Sequence, residues 1–148
     1  MIRHLLDRIT GTRYIDDPVF GRLRFQRAAQ FWEGFIDFAP TGTRVEVLVD
    51  GGPDGPVASQ RQALGDLLAR YEMLAEQSRH AIRRELASRH DQTTLATYEP
   101  LVKLVCLNFP VLAPSGTCDL SFDDQERGWH YTIHCREWQP QLVEVDTC

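Results

Sequence analysis

No stretch of this chain approaches the ~18 consecutive apolar residues that mark a membrane span. Its opening run, Met1-Ile2-Arg3-His4-Leu5-Leu6-Asp7-Arg8-Ile9, is broken by charges and so lacks the apolar segment of a secretory signal. These two absences make the cytoplasm the expected compartment. Also missing are the phosphate-cradling patterns GxGxxG and GxxxxGK[ST] and the GxSxG nucleophile elbow, and Ser115 and Ser121 stand in no distinguishing context. Cys106, Cys118, Cys135 and Cys148 are irregularly spaced with no CxxC pair, which favours reduced thiols over a disulfide framework. An excess of basic residues is absent too. A formal net charge of -5 argues against nucleic acid or anionic membrane as the primary partner, and makes a basic protein the more natural one. Low-complexity tracts and internal repeats do not occur.

What is present is an ordinary folding composition, 43% hydrophobic and 25% charged, in 148 residues. That length suits one domain, residues 1–148, able to bury ~70% of the surface of its unfolded chain. Residues 1–16 read as a lead segment, with a short helical turn placing Leu5, Leu6 and Ile9 on one side.

Three strands follow: Gly21-Arg22-Leu23-Arg24-Phe25, Phe31 to Phe38, and Arg44 to Asp50, separated by turn formers such as Pro40, Gly42, Gly51, Gly52 and Pro53. In the first, Leu23 and Phe25 alternate with arginines, as a half-buried antiparallel strand requires. In the third, Val45, Val47 and Val49 alternate with Glu46, Leu48 and Asp50. The middle strand sets Trp32, Ile36 and Phe38 on one face and Phe31, Glu33, Phe35 and Asp37 on the other, so a strand that is central, or partly covered on both faces, is expected.

Ser59-Gln60-Arg61-Gln62 has the form of a capping box, which places a helix start there. Leu64, Leu67, Leu68, Tyr71, Leu74, Ala75, Ser78, Ile82 and Leu86 then recur at spacings of three and four, an apolar stripe over several turns. Arg79, Arg83, Arg84 and Arg89 crowd the last turns, where positive charge compensates the helix dipole. After a polar break from Asp91 to Thr97, Leu101 to Phe109 reads as a strand. Thr117 to Phe122 and Trp129 to Arg136 read as a hairpin whose turn contains Gly128, suited to positive φ, and Leu142 to Val145 closes a meander. The expected class is α+β: an antiparallel meander sheet with one long helix, continuous or broken, packed on one face.

Candidate chemistry is sparse. His130 and His134, near Cys118 and Cys135, suggest a metal site, but residues four apart on a strand lie ~13 Å from each other, too far to share one ion bound at ~2 Å. Cys118, Leu120 and Phe122 alternate onto one face, as do Trp129, Tyr131, Ile133 and Cys135, so both thiols are expected in the core. Asp123, Asp124 and Glu126 sit on a glycine-containing turn, where solvated turn chemistry is favoured over a paired-carboxylate acid-base site. The glycine-rich run from Gly51 to Pro56 reads as a loop, because Pro53 and Pro56 remove the N–H donors of a phosphate cradle. Neither metal nor cofactor is expected. On the outward sheet face, Glu33, Asp37, Glu46, Asp50, Glu144 and Asp146 alternate with buried residues. Trp32 and Trp129 are expected in the core, and Trp138, between Glu137 and Pro140, is expected exposed in a turn.

Asp17-Pro18-Val19-Phe20-Gly21-Arg22-Leu23, Phe31-Trp32-Glu33-Gly34, and the strand from Thr43 to Asp50 resemble the "lG.l", "W.G" and "v.v.l.l" strands of a loose group of bacterial domains of unknown function. In that group these strands precede a helix and a C-terminal meander. Leu120-Ser121-Phe122-Asp123-Asp124 through His134 is similar to the group's acidic turn and "GH.I.V" strand, with Trp129 inserted. The resemblance spans residues 17–146. Members of the group often accompany polymorphic toxins and look like their immunity proteins, which implies a non-catalytic binder that neutralises a cognate toxin. It assigns no contact residue.

Charge and exposure select Glu33, Asp37, Glu46, Asp123, Asp124, Glu126 and Trp138 as expected contacts with a basic toxin. The chain is expected to be a monomer or weak homodimer. The alternatives are a small enzyme using His130 or His134 as a base, and a self-associating structural subunit.

Overall fold

Alternating apolar and charged residues make two-faced strands, and here a single helix packs on the apolar face of the sheet. The computed structural model describes residues 12–89 and 102–147. Strands β1 (Arg13–Asp17), β2 (Gly21–Gln26), β3 (Phe31–Phe38) and β4 (Thr43–Asp50) lead into helix α1 (Ala58–Arg89). Strands β5 (Val102–Phe109), β6 (Cys118–Asp124), β7 (Trp129–Arg136) and β8 (Gln139–Thr147) follow. All eight form one open sheet in chain order, antiparallel throughout except for the central β4–β5 pair, which is parallel. The expected α+β class, an antiparallel sheet with one long helix on one face, is what forms, and this parallel pair is the one departure from a meander. A parallel pair needs a long crossover, and α1 supplies it.

The end of the expected lead segment is ordered as sheet: Arg13–Asp17 forms a strand paired with β2, which the sequence alone does not indicate. The turn expected around Leu5, Leu6 and Ile9, and the polar break from Asp91 to Thr97, lie outside the described residues.

The core side of the sheet carries Leu23, Trp32, Phe38, Val45, Val47, Val49, Leu107, Phe109, Leu120, Tyr131 and Ile133, all essentially inaccessible to solvent. Against them α1 lays Leu64, Leu67, Tyr71, Leu74, Ile82 and Leu86, with Phe38 and Tyr71 packed edge to face at 4.9 Å. Ser78, buried in the same stripe, donates back to Leu74 O at 2.7 Å, which satisfies its hydroxyl. Leu68 departs from the expected stripe. It is 43% exposed because one residue past Leu67 the helix has turned ~100° away from the sheet.

The helix cap lies two residues before the expected position. Gln60 N and Arg61 N reach Val57 O, and Gln60 Oε1 accepts from Val57 N at 2.9 Å, so Val57 takes the cap position and Gln60 plays the reciprocal role. Gln60 Nε2 also donates to Asp50 O at 2.7 Å and Phe109 O at 3.0 Å, which pins the helix start to the ends of the parallel strands. Gln62 instead bonds Asp66.

Two expected contact residues turn out to be structural. Asp124 is 1% exposed: it faces the core side, accepts from Glu126 N and Arg127 N at 3.1 and 3.2 Å, and receives the Tyr131 hydroxyl at 3.3 Å. Strand parity sends Asp123 outward and therefore Asp124 inward, where its carboxylate closes the β6–β7 turn. Trp138 is 8% exposed, not the free turn residue expected. The two-residue β7–β8 loop holds Glu137 and Trp138 at φ 52° and 58°. Glu137 N and Trp138 N then donate to Ser115 O and Gly116 O of the β5–β6 loop, and the Arg70 guanidinium lies 5.6 Å from the indole centroid.

Candidate functional site

Since α1 covers only one side, the opposite face of the sheet is left without a packed element among the described residues. Parity decides what that face displays. From β1 to β4 it carries Tyr14, Asp16, Arg22, Arg24, Phe31, Glu33, Phe35, Asp37, Arg44, Glu46, Leu48 and Asp50. Across β5 to β8 it carries Lys103, Cys106, Asn108, Asp119, Ser121, Asp123, His130, Thr132, His134, Leu142, Glu144 and Asp146, with Arg136 at the hairpin end.

The second half is a carboxylate-imidazole lattice. His130 Nδ1 lies 2.6 Å from Asp123 Oδ1, and His130 is in register with Asp146 on its other side. His134 Nδ1 lies 2.8 Å from Asp119 Oδ1, while Asn108 Nδ2 donates to Asp119 Oδ2 at 3.1 Å. On its far side His134 Nε2 is 3.4 Å from Glu144 Oε2, a separation that suits an ion pair better than an aligned hydrogen bond. Each imidazole is thus flanked by carboxylates from two neighbouring strands.

These settings move the titrations. Burial lowers the pKa of His134, but Asp119 and then Glu144 outweigh it and hold the imidazolium above its ordinary value of 6.5. Asp50 is raised, by burial and then by the charge of Asp119. The Cys106 thiol, pushed up to about 12 by burial, Glu46 and Asp119, stays protonated and unreactive. A folded-state pKa above the unfolded value means that His134 contributes stability fully below pH ~6.5, and that this is lost as pH rises through the folded value. Imidazole resonances followed against pH should therefore place His134 above 6.5, and Asp119→Asn should lower it. Titration at or below 6.5 in the unsubstituted protein would contradict the pairing.

The β1–β4 half is mixed in sign. Glu33 accepts from Arg24 and from Gln26 Nε2, and these bonds keep its carboxyl low against the burial that would raise it. Asp37 faces Arg44 in register, and Glu46 lies between Phe35 and Cys106.

Of the expected contacts, Glu33, Asp37, Glu46 and Asp123 lie on this open face, and Glu126 is exposed on the turn beside it. Asp50, Glu144 and Asp146 point outward as their alternation required. Sequence reasoning overlooked Asp119, although the inward alternation of Cys118, Leu120 and Phe122 implies it. It also overlooked the pairing of both histidines with carboxylates, for which no local signal exists. β3 lies inside the sheet, between β2 and β4, as one of the two expectations for it had it, and on the open face its Phe35 is 55% exposed.

Cys118 and Cys135 do face the core, directly opposite each other in register and with both thiols free. Among the described residues no helix is long and apolar enough to cross a membrane. In comparisons with protein-family models, with curated proteins and with solved structures, nothing matches this chain.

Proposed function

We propose that this protein is a non-catalytic, cytoplasmic binder of the bacterial immunity type, which seats the open face of its sheet on a basic surface of a cognate protein toxin and blocks it. The observation that carries this reading is the lattice of Asp119, Asp123 and Glu144, held by His130 and His134 with Asp146 in register beside His130, on a face that α1 leaves uncovered. Eight strands at ~4.8 Å spacing span ~34 Å, and five to nine residues at ~3.3 Å span ~17–30 Å. Such a face offers on the order of the ~800 Å² per partner of a stable interface. Carboxylates already fixed by their neighbours lose little side-chain freedom on docking, and their field steers a basic partner and speeds association. Leu142, 56% exposed beside Glu144, supplies apolar contact.

The decisive experiment expresses the product of the adjacent reading frame in a susceptible cell, with and without this protein, and purifies the pair. Growth rescue and a stable complex are expected. Reversing Asp123, Glu144 and Asp146 to lysine should weaken that complex on the order of 100-fold and flatten its salt dependence. Unchanged affinity and unchanged salt response in the triple variant would exclude docking through this face.

A second reading, a small acid-base enzyme, has one specific observation in its favour. Asp123 holds the His130 imidazole at 2.6 Å, the arrangement that orients a general base. It predicts turnover of a panel of nitrophenyl esters and phosphodiesters that His130→Gln abolishes. Absence of turnover across the panel counts against it.

A further inference from the structure

The β1–β4 half of the open face is built differently from its neighbour. There the Arg22 guanidinium lies over the Tyr14 ring, 4.6 Å from its centroid, and the Arg44 guanidinium over the Phe35 ring at 5.0 Å. Together with Arg24, Glu33, Gly34 and Glu46 these residues line a shallow recess of about 620 Å³, in which three arginines outnumber two carboxylates. Arg24 is taken up by Glu33. Arg44 has no carboxylate within 4 Å among the described residues, and Arg22 approaches Asp16 only to 4.0 Å with both side chains largely solvated.

An arginine held over an aromatic ring by a cation–π contact spends none of its N–H donors on a hydrogen bond there, and those donors match a planar carboxylate in bidentate geometry. The contact also limits the rotamers that binding would otherwise have to freeze. Between these two arginines, Phe35 presents an exposed apolar surface. The ligand that fits is an acidic side chain next to an apolar one. A long polyanion such as nucleic acid fits poorly, because Asp16, Glu33, Asp37 and Glu46 are interspersed among the arginines.

We infer that this recess is a second subsite of the docking face, taking an acidic-apolar segment of the same protein partner whose basic surface rests on β6–β8. The inference rests on the docking role of the open face and adds the partner's second chemistry. Four strand spacings of ~4.8 Å put the subsites ~19 Å apart. The partner therefore carries opposite charges at about that distance, and turning it end over end sets carboxylates against carboxylates. That repulsion selects one orientation and rejects partners that are merely basic.

The test uses the whole isotope-labelled chain and two blocked hexapeptides, one alternating Glu and Leu, the other alternating Lys and Leu, followed by amide chemical shifts. The Glu-Leu peptide should shift Arg22, Phe35 and Arg44, and the Lys-Leu peptide Asp123, Glu144 and Asp146. Arg22→Glu with Arg44→Glu should weaken the first peptide at least tenfold and leave the second unchanged. If that double variant loses its dispersed spectrum, Arg44→Gln alone should still weaken the first peptide severalfold. Shifts from the Glu-Leu peptide that are absent, located elsewhere or indifferent to the arginine substitutions overturn the subsite. Loss of the Lys-Leu response alone, with the Glu-Leu response intact, supports the subsite and removes the basic-partner reading instead.

Discussion

Asp17→Ala should destabilise the protein by about 3 kcal/mol, the low end of what removing one partner of a buried ion pair costs, because Arg61 remains a third exposed. The Asp17 side chain is 1% exposed at the end of β1. One oxygen accepts from Val19 N and Phe20 N at 2.9 Å each, and the other from Arg61 Nε at 2.8 Å. The carboxylate thus fixes the β1–β2 turn, seats Phe20 against Phe109 and ties both to the first turns of α1. Its loss leaves two backbone donors and a guanidinium unpaired at once. Burial would raise its pKa, but the Phe20 and Val19 amides and Arg61 hold it below the ordinary 3.8. This stabilisation is present above the unfolded value near 3.8 and is lost as pH falls through the depressed folded value. Urea unfolding of Asp17→Ala and the parent should differ most near neutrality and converge at acid pH. A difference under about 1 kcal/mol at pH 7 would show that the pair contributes little.

Gly116→Ala should cost a similar amount for a different reason. Gly116 holds φ 72°, where any Cβ is strained by about 1 kcal/mol. Here that Cβ would also stand 2.5 Å from Trp138 N and 2.9 Å from Glu137 C and Cα. These are backbone atoms of a two-residue turn and cannot swing aside as a side-chain tip does, so overpacking of about 1–3 kcal/mol adds to the strain. The β5–β6 loop should lift from the β7–β8 turn and wet Trp138, which shifts tryptophan emission to longer wavelength. Gly128→Ala is the matched control: its φ is 67°, but a Cβ there meets nothing within 4 Å. It should lose only about 1 kcal/mol. Equal losses at the two glycines would mean that the contact between the loops is not tight.

Much of the open face is legible in the sequence, for a local reason. A strand sends alternate side chains to opposite sides, so Val45, Val47 and Val49 had to point away from Glu46 and Asp50, and Trp32 away from Glu33 and Asp37. The helical stripe from Leu64 to Leu86 was legible in the same way, and only Leu68, on the margin of the stripe, was misplaced. For Asp124 and Trp138, polarity and a nearby proline suggest exposure, and the structure differs. Asp124 is buried because turn amides and Tyr131 satisfy it, and Trp138 because a loop from elsewhere in the chain closes over it.

The sequence by itself therefore determined which residues share a face, the α+β class and the outward direction of the carboxylates, since each depends on backbone geometry over a few residues. Only the tertiary structure decided that β4 lies beside β5 in parallel, that Asp119 and Glu144 flank His134, and that Arg22 and Arg44 rest on Tyr14 and Phe35. Those neighbours come from separate strands, and their meeting depends on pairing and register across the sheet. Pairing and register are selected by how the whole core packs under α1, and no local run of residues encodes them.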